Sequence, residues 1–337
     1  MKILFIGLGS IGQRHLVNAK KIFPKAKFYA FRKKNINLVI KNAEIKKKIN
    51  LAKYYKIHEC KTLIEAKKIN PSITFICNPS SLHLRDAKIF ANQGSHLFIE
   101  KPLLGKNFEI NKLVDILKKK KLNSMVAFQL RFHPAIILTK KIIDQKKYGN
   151  IKTGYFNNLT HLPSHHPYED YSKGYGARKN LGGGALSSLI HEVDLISYFF
   201  SYPYKVISKK FRSRIIKCDT DDNVFSLIQF KKNNQNFVVN LNLSFTNVVE
   251  KREFRILFDK SLLICDLIQN KIEVFSNSSK KLLFRKKYKF TRNDLFLDEL
   301  KNFKNSIKNK KENFLSVKNN LNTSKLFNLL NNSKLIN

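Results

Sequence analysis

Acidic residues are scarce in this chain. Its 337 residues hold 24 Asp and Glu against 64 Lys and Arg, a formal net charge of +40 at neutral pH. A balance of that sign admits a binder of nucleic acid or of a membrane surface. The lysines, however, are scattered among many Asn and Ile residues, and no compact basic tail or Arg-rich helix gathers them. Dispersed charge of this kind fits the solvated surface of an ordinary enzyme, so no specific nucleic-acid partner is expected. Cysteine is scarce too. Cys60, Cys77, Cys218 and Cys265 lie far apart, make no CxxC pair and have no zinc spacing, as expected of small apolar residues in a reducing compartment. Long apolar runs are absent: no stretch approaches the roughly 18 residues of a membrane helix. The opening "ILFI" is too short for a secretory core and leads directly into a glycine motif. No internal repeat is present. A cytoplasmic protein with no membrane partner is the expectation.

What the chain does have is 43% hydrophobic residues and length for about two domains. Up to residue 128 the apolar runs "KILFIGLG", "KFYAF", "SITFICNPSS", "HLFIEKP" and "SMVAF" alternate with helical-period segments at 11–22, 39–49, 61–69, 81–92 and 107–121. That order predicts βαβ units around a parallel sheet buried on both faces. "YYKIH", 54–58, reads as one more short strand. The texture then changes. A helix at 134–147 precedes a loop-rich stretch, 149–184, and a helix at 185–200. Strand-like runs follow at 204–214, 222–231, 236–246, 252–259, 261–268 and 271–276, and the last 45 residues predict two helices. The fold class is α/β, with an N-terminal Rossmann doubly wound parallel sheet over 1–123. An α+β domain with an open, mostly antiparallel sheet follows over 124–337, the boundary falling near 122–128.

"ILFIGLGSIGQRH" places Gly7, Gly9 and Gly12 as GxGxxG between a strand and a helix. The first glycine permits the turn, the second lets backbone approach a pyrophosphate, and the third allows close packing of helix on strand. The helix start adds free N–H groups for the anion. Gly7, Gly9, Ser10, Ile11 and Gly12 are therefore candidate cofactor-binding residues. The second strand ends in "FRKK", Phe31 to Lys34, where an NAD enzyme usually carries an acid for the ribose 2′-hydroxyl. Arg32 and Lys33 can instead meet a 2′-phosphate, so NADP(H) is favoured and NAD(H) possible.

Five motifs in order resemble the glucose–fructose oxidoreductase, inositol dehydrogenase and MocA (Gfo/Idh/MocA) family: "IGLGSIGQRH", "CNPSSLH" at 77–83, "IEKPL" at 99–103, "QLRFHP" at 129–134 and "NLGGGALSSLIHEVDL" at 180–195. The resemblance runs through most of the chain. It implies a Rossmann domain followed by an α/β domain with an open antiparallel sheet, and it implies that Asn78, Pro79 and His83 border the cofactor.

The same resemblance assigns Lys101 to the substrate hydroxyl or carbonyl beside the nicotinamide. Lys101 follows the fifth strand, and ligands of open α/β sheets bind at the carboxyl ends of strands. A lysine there can carry the proton released as hydride leaves, or polarise the oxygen. Glu100 faces the other way in an extended segment and is expected to anchor the turn; both Glu100 and Lys101 are also candidate cofactor-binding residues.

In the segment 185–200, Leu186, Leu189, Val193, Ile196 and Phe200 form a core-facing stripe at helical spacing, with Ser187, His191, Asp194 and Tyr198 opposite. Gly182 to Gly184 would let backbone approach a ligand. His191 is the second catalytic candidate, since histidine titrates near working pH. Many members of the family carry an aspartate one turn before this histidine; Ser187 stands there, so the Lys–Asp–His trio is incomplete and inositol-type chemistry is in doubt. Substrate contacts are expected from Arg131, Asp170, Tyr171, Tyr175, Arg178, Ser187, His191 and Asp194, a mixture suited to a sugar or polyol ring with an anionic group on Arg178. His133 is expected beside Arg131. His161, His165 and His166 lack the helical spacing of a zinc motif, and no metal is expected.

The leading reading is an NAD(P)-dependent dehydrogenase or reductase acting on a sugar or sugar derivative, with nucleotide-linked or anionic substrates of surface-glycan pathways in view and with Lys101 and His191 as catalytic residues. A cofactor-binding sugar sensor and a redox-neutral glycosidase remain as alternatives. A homo-oligomer formed through the second-domain sheet is expected from the family.

Overall fold

The computed structural model describes all residues except 34–37, 42–43, 48, 166–168, 233–234, 333–334 and 337. The chain divides into two compact units, Met1–Phe128 with Arg292–Leu321, and Gln129–Thr291 with Asn322–Asn337.

The first unit begins with β1 (Lys2–Ile6), α1 (Ser10–Ile22) and β2 (Lys27–Phe31). A two-stranded hairpin of β3 (Leu38–Lys41) and β4 (Glu44–Lys47) follows. Then come α2 (Leu51–Tyr55), β5 (His58–Cys60), α3 (Leu63–Lys68), β6 (Ile73–Ile76), α4 (His83–Asn92), β7 (His96–Glu100), α5 (Asn107–Lys119) and β8 (Ser124–Ala127). The six-stranded sheet has the order β5-β2-β1-β6-β7-β8 and is wholly parallel. Every residue from Ile3 to Ile6, Ile73 to Ile76 and Leu97 to Ile99 is buried, so continuous apolar runs become strands covered on both faces, as the sequence suggests. Phe5, Phe75 and Phe98 stack across neighbouring strands.

Two expectations change here. Within the segment 39–49, read as a helix, the described residues are strands: Ile40 pairs antiparallel with Ile45, and β-branched Val39, Ile40 and Ile45 suit a pleated strand. Residues 51–55 form α2 instead of a strand at 54–58, because Asn50 caps it by accepting the Lys53 N–H at 3.0 Å; the strand starts at His58.

The second unit contains α6 (Pro134–Asp144), β9 (Ile151–His161), α7 (Ala185–Ser188), α8 (His191–Phe200), β10 (Lys205–Phe211), β11 (Asn223–Lys232), β12 (Gln235–Ser244), β13 (Thr246–Phe258), β14 (Ser261–Asp266), β15 (Lys271–Ser276) and β16 (Leu282–Lys287). Next along the chain is α9 (Arg292–Lys308), which belongs to the first unit, and then α10 (Leu321–Asn331) and β17 (Leu335–Ile336). The nine-stranded sheet runs β16-β15-β14-β13-β9-β12-β11-β10-β17 and is antiparallel except for β9 with β12 and β10 with β17. Its core face carries Phe156, Phe254, Val239 and Leu241, and α8 packs there through Phe199 and Phe200.

The stretch read as loop, 149–184, begins with β9, the central strand of this sheet. The helix read over 185–200 breaks at Leu189–Ile190, where the Glu192 N–H bonds the Leu189 carbonyl three residues back. A division of the chain at 123/124 also leaves α9 with the second domain, whereas it packs in the first: Asn18 and Asn293 bond each other, and the Arg14 guanidinium lies 5.0 Å from the Phe296 ring centre.

Candidate functional site

The glycine loop sits at the carboxyl end of β1, beside the point where the strand order reverses between β1 and β6. Gly7 has φ +93 and donates its N–H to the Phe31 carbonyl at 2.9 Å. A Cβ on Gly7 would meet Asn78 N and Cys77 O at 2.8 Å, and one on Gly12 would sit 2.5 Å from the Gly7 carbonyl oxygen. At Gly9, the residue before α1, a Cβ would meet nothing within 4 Å. No side chain caps α1 and its first turn, opened by Ser10 and Ile11, holds no acid. Open space in front of uncapped helix N–H groups is what a pyrophosphate requires.

Around the ends of β6 and β7 the polar groups interlock. Asn78 donates Nδ2 to the buried Asp86 at 2.6 Å, while its Oδ1 is buried without a partner among the described residues. Buried polar atoms are normally satisfied, so this acceptor suits a hydroxyl or amide of a bound dinucleotide. His83, wholly buried, spans the carbonyls of Asn78 (2.7 Å) and Pro102 (2.9 Å) and so joins the two strand ends. Burial pushes its pKa down against the pull of the two carbonyls, and a neutral ring donates to only one of them. Pro79 opens the short turn before α4, with the Leu82 N–H on its carbonyl.

Lys101 follows β7, partly exposed, and its bond to Pro102 is cis. Glu100 braces this turn: Oε2 accepts the Lys101 N–H at 3.1 Å and Oε1 lies 2.6 Å from His15 Nε2 on α1. Burial pushes the Glu100 carboxyl up, but the hydrogen bond and charge of His15, with the charge of Lys101, outweigh it and hold the group below its ordinary range. The His15 ring is caged by Phe98, Phe75 and Phe296. Near this pair, Glu299 on α9 is wholly buried with neither carboxylate oxygen bonded among the described residues. Burial, then the Glu100 charge, push its pKa well up.

Arg32 does not stand alone at the end of β2. Nε donates to Glu59 Oε1 at 2.9 Å and Nη2 lies 2.6 Å from the same oxygen. Lys33 is exposed beside it. Lys34 lies outside the described residues.

In the second unit the candidate residues separate into two groups. Arg131 and Asp194 are buried and face each other, Nε to Oδ2 at 2.9 Å and Nη2 to Oδ1 at 2.6 Å. Thr323 donates to the same carboxylate, and the Arg131 guanidinium lies 4.6 Å from the Tyr198 ring centre. Both carboxylate oxygens and one edge of the guanidinium are thus engaged within the fold. His133 caps α6 by accepting the Ala135 N–H at 3.1 Å, and its Nε2 lies 3.0 Å from Asn270 Oδ1. Ser187 lies within α7 and His191 begins α8, both buried.

The second group lies on the segment before α7. Asp170 takes the Ser172 N–H and hydroxyl, and that hydroxyl holds its pKa down. Tyr171 accepts the Lys217 N–H on its phenolic oxygen at 3.0 Å, and Arg178 lies 3.8 Å from Asp219. Tyr175 is half-buried. The glycine triplet serves this segment rather than an open face: a Cβ on Gly183 would sit 2.1 Å from the Tyr175 carbonyl and 2.9 Å from that of Arg178. Gly184 (φ +111) faces Asp221, which accepts the Leu186 N–H at 2.9 Å and caps α7. His161 and His165 bond the hydroxyls of Ser164 and Thr160; His166 lies outside the described residues.

Sequence reasoning missed His15, Glu59, Asp86, Asp221 and Glu299. His15, Glu59 and Asp221 meet partners 27 or more residues away, and Glu299 has none among the described residues, so only register and packing bring these four into view. An inward-facing His three residues after Gly12 is the one signal the sequence carries.

Residues 1–128 match the model of an oxidoreductase family with an NAD-binding Rossmann fold, and residues 136–264 match a GFO/IDH/MocA C-terminal domain. Levoglucosan dehydrogenase of Pseudarthrobacter phenanthrenivorans is 28% identical over 179 residues, 46% of this chain and 45% of that protein. Myo-inositol 2-dehydrogenase of Thermotoga maritima is 28% identical over 199 residues, 59% of this chain and 54% of that protein. The chain thus spans about half the length of these relatives. Among solved structures, a levoglucosan dehydrogenase in complex with NADH has TM-score 0.80 at 17% identity, covering 98% of this chain and 95% of that one. The WlbA dehydrogenase from Bordetella pertussis in complex with NADH and UDP-GlcNAcA has TM-score 0.78 at 16% identity, covering 99% and 96%. No helix among the described residues is long and apolar enough to cross a membrane.

Proposed function

We infer the function from one premise: the chain belongs to the Gfo/Idh/MocA oxidoreductase family. The reading is a nicotinamide-dependent dehydrogenase or reductase that moves a hydride between the cofactor and a hydroxyl- or carbonyl-bearing carbon of a sugar or sugar derivative. One observation carries it. The glycine cradle at the end of β1 and Lys101 at the end of β7 stand on one edge of one parallel sheet, two strands apart, about 10 Å at the usual strand spacing. A dinucleotide laid across the switch point brings its reactive ring toward the lysine.

Gly7, Gly9, Ser10, Ile11 and Gly12 would hold the pyrophosphate, Arg32 and Lys33 would lie by the adenosine ribose of NAD(H) or NADP(H), and Asn78, Pro79 and His83 would border the nicotinamide half. When bound, the cofactor accepts or donates the hydride. Lys101 holds the proton that leaves the substrate oxygen on oxidation, or polarises that oxygen in the reverse direction. Glu100 and His15 fix the backbone from which Lys101 projects. His191 is the second proton-handling group, and Ser187, four residues before it, offers a hydroxyl but no charge. Tyr171, Tyr175, Asp170 and Arg178 offer the phenols, carboxylate and guanidinium that bind sugar hydroxyls and an anionic substituent. Arg131 and Asp194, spent on each other, support the helix that carries His191.

The four free thiols suit a reducing cytoplasm. A second copy is the proposed partner, through the open face of the nine-stranded sheet. Ile207, Leu227 and Tyr155 lie in one cross-strand row there and are exposed, with Phe225 and Val238 exposed on the adjoining rows. Sedimentation that gives a monomer would exclude it.

The test is incubation with NAD⁺ and NADP⁺ against levoglucosan, myo-inositol, UDP-GlcNAc and its uronic acid, following nicotinamide absorbance. Substrate-dependent reduction that disappears in Lys101→Met is expected. Cofactor binding with no turnover on any sugar would favour a sensor, and release of an aglycone without net reduction would favour a glycosidase.

A further inference from the structure

The end of β2 holds an arrangement that its sequence does not disclose. In the parallel pair β2–β5, Ala30 is in register with Glu59 and Phe31 with Cys60. Residues in register share a face, and Arg32, two places after Ala30, continues that face. Arg32 is thereby brought beside Glu59, with Nε at 2.9 Å and Nη2 at 2.6 Å from Oε1. The Arg32 side chain is 7% exposed, whereas the Glu59 side chain is 29% exposed. The Gly7 N–H on the Phe31 carbonyl ties this strand end to the glycine loop, where the adenosine ribose of a dinucleotide lies.

We propose that Glu59 is a specificity residue of the dinucleotide site: by holding Arg32 it converts the end of β2 from a receptor for a 2′-phosphate into one for a 2′-hydroxyl, so that the chain uses NAD(H) in preference to NADP(H). The inference rests on the dehydrogenase reading and deepens it. An arginine grips a phosphate through its two-pronged edge. Here the Nε/Nη2 edge is already taken by a carboxylate. The pair sums to no net charge, and the more exposed partner is the acid. A phosphate of charge −1.5 to −2 arriving there meets the Glu59 carboxylate, while a ribose hydroxyl finds in Oε2 an acceptor with no partner among the described residues. The acid that NAD enzymes place on the second strand is supplied here by the strand beside it. Lys33 is exposed and adds charge that Glu59 opposes.

Dissociation constants for NADH and NADPH, measured by nicotinamide fluorescence, test this on wild type, Glu59→Gln, Arg32→Gln and the double variant. Both sites lie at the edge of the sheet, and thermal melts confirm that each variant folds. Wild type is expected to bind NADH more tightly than NADPH by about tenfold or more. Glu59→Gln should tighten NADPH by a similar factor with little change for NADH, and that gain should vanish when Arg32→Gln is also present. A wild type that prefers NADPH, or a Glu59→Gln protein with an unchanged ratio, overturns the inference and leaves the dehydrogenase reading standing. A wild type that binds neither dinucleotide overturns both.

Discussion

The two units put the polar residues named above to different use. In the first, atoms at the sheet edge are left with unused capacity: Asn78 Oδ1 is buried and has no partner among the described residues, and Gly9 faces open space. In the second, three conspicuous pairings are made within the fold, Arg131 with Asp194, Arg252 with Glu192 through Nε, and Asp221 with the start of α7, although Asn242 Oδ1 and Arg252 Nη2 are buried without a partner among the described residues. A polar residue in a family motif can therefore be a ligand contact or a strut. What separates them is whether its hydrogen-bonding capacity is already used.

That contrast is sharpest where the largest effect is expected. Lys101→Met should lower kcat by about 10²–10⁴ while NADH binding and thermal stability stay near wild type; a variant that retains full turnover would remove the lysine from the chemistry. Asp194→Asn should do the opposite. It leaves a buried guanidinium without its counter-charge, at a cost of about 3–5 kcal/mol, read as a fall in the urea midpoint. Substrate affinity of the folded fraction should be retained, and a selective rise in KM at wild-type stability would return Asp194 to the substrate.

A smaller effect is expected at Glu299. Glu299→Leu removes two unsatisfied buried oxygens, worth about 1–3 kcal/mol. The sign with pH follows from the raised pKa in the folded state. Between the ordinary carboxyl range and that raised value, the folded protein binds the proton that the unfolded chain has released, so this group's contribution to stability is lost as pH rises. Wild type should therefore lose stability relative to Glu299→Leu with increasing pH, in paired urea titrations. A constant difference across pH would mean that the carboxyl ionises normally.

Legibility in the sequence follows the same division. The glycine loop and the parallel sheet could be read because β1, β6 and β7 are continuous apolar runs separated by amphipathic helices. The central strand β9 could not: it buries Gly154, Asn158 and Thr160 alongside Phe156, so its alternation is hidden by polar residues satisfied within the sheet and against Glu192 and Glu250. The hairpin at 38–47 mimics helical spacing, although its β-branched residues favour strands. Lys101, His191 and the loop of Asp170 to Arg178 were visible as residue types. Glu59 beside Arg32 and Asp194 beside Arg131 were not, because 27 and 63 residues separate the partners and only strand register and helix packing join them.

The most direct test of the account is the binding of NADH to Gly9→Asp. An Asp before α1 finds room for its Cβ, caps the helix and favours its fold, yet puts a carboxylate where the pyrophosphate belongs. The account predicts saturable NADH binding by wild type and its loss in Gly9→Asp at equal or higher melting temperature. Undiminished binding in the variant, or none in wild type, would contradict it.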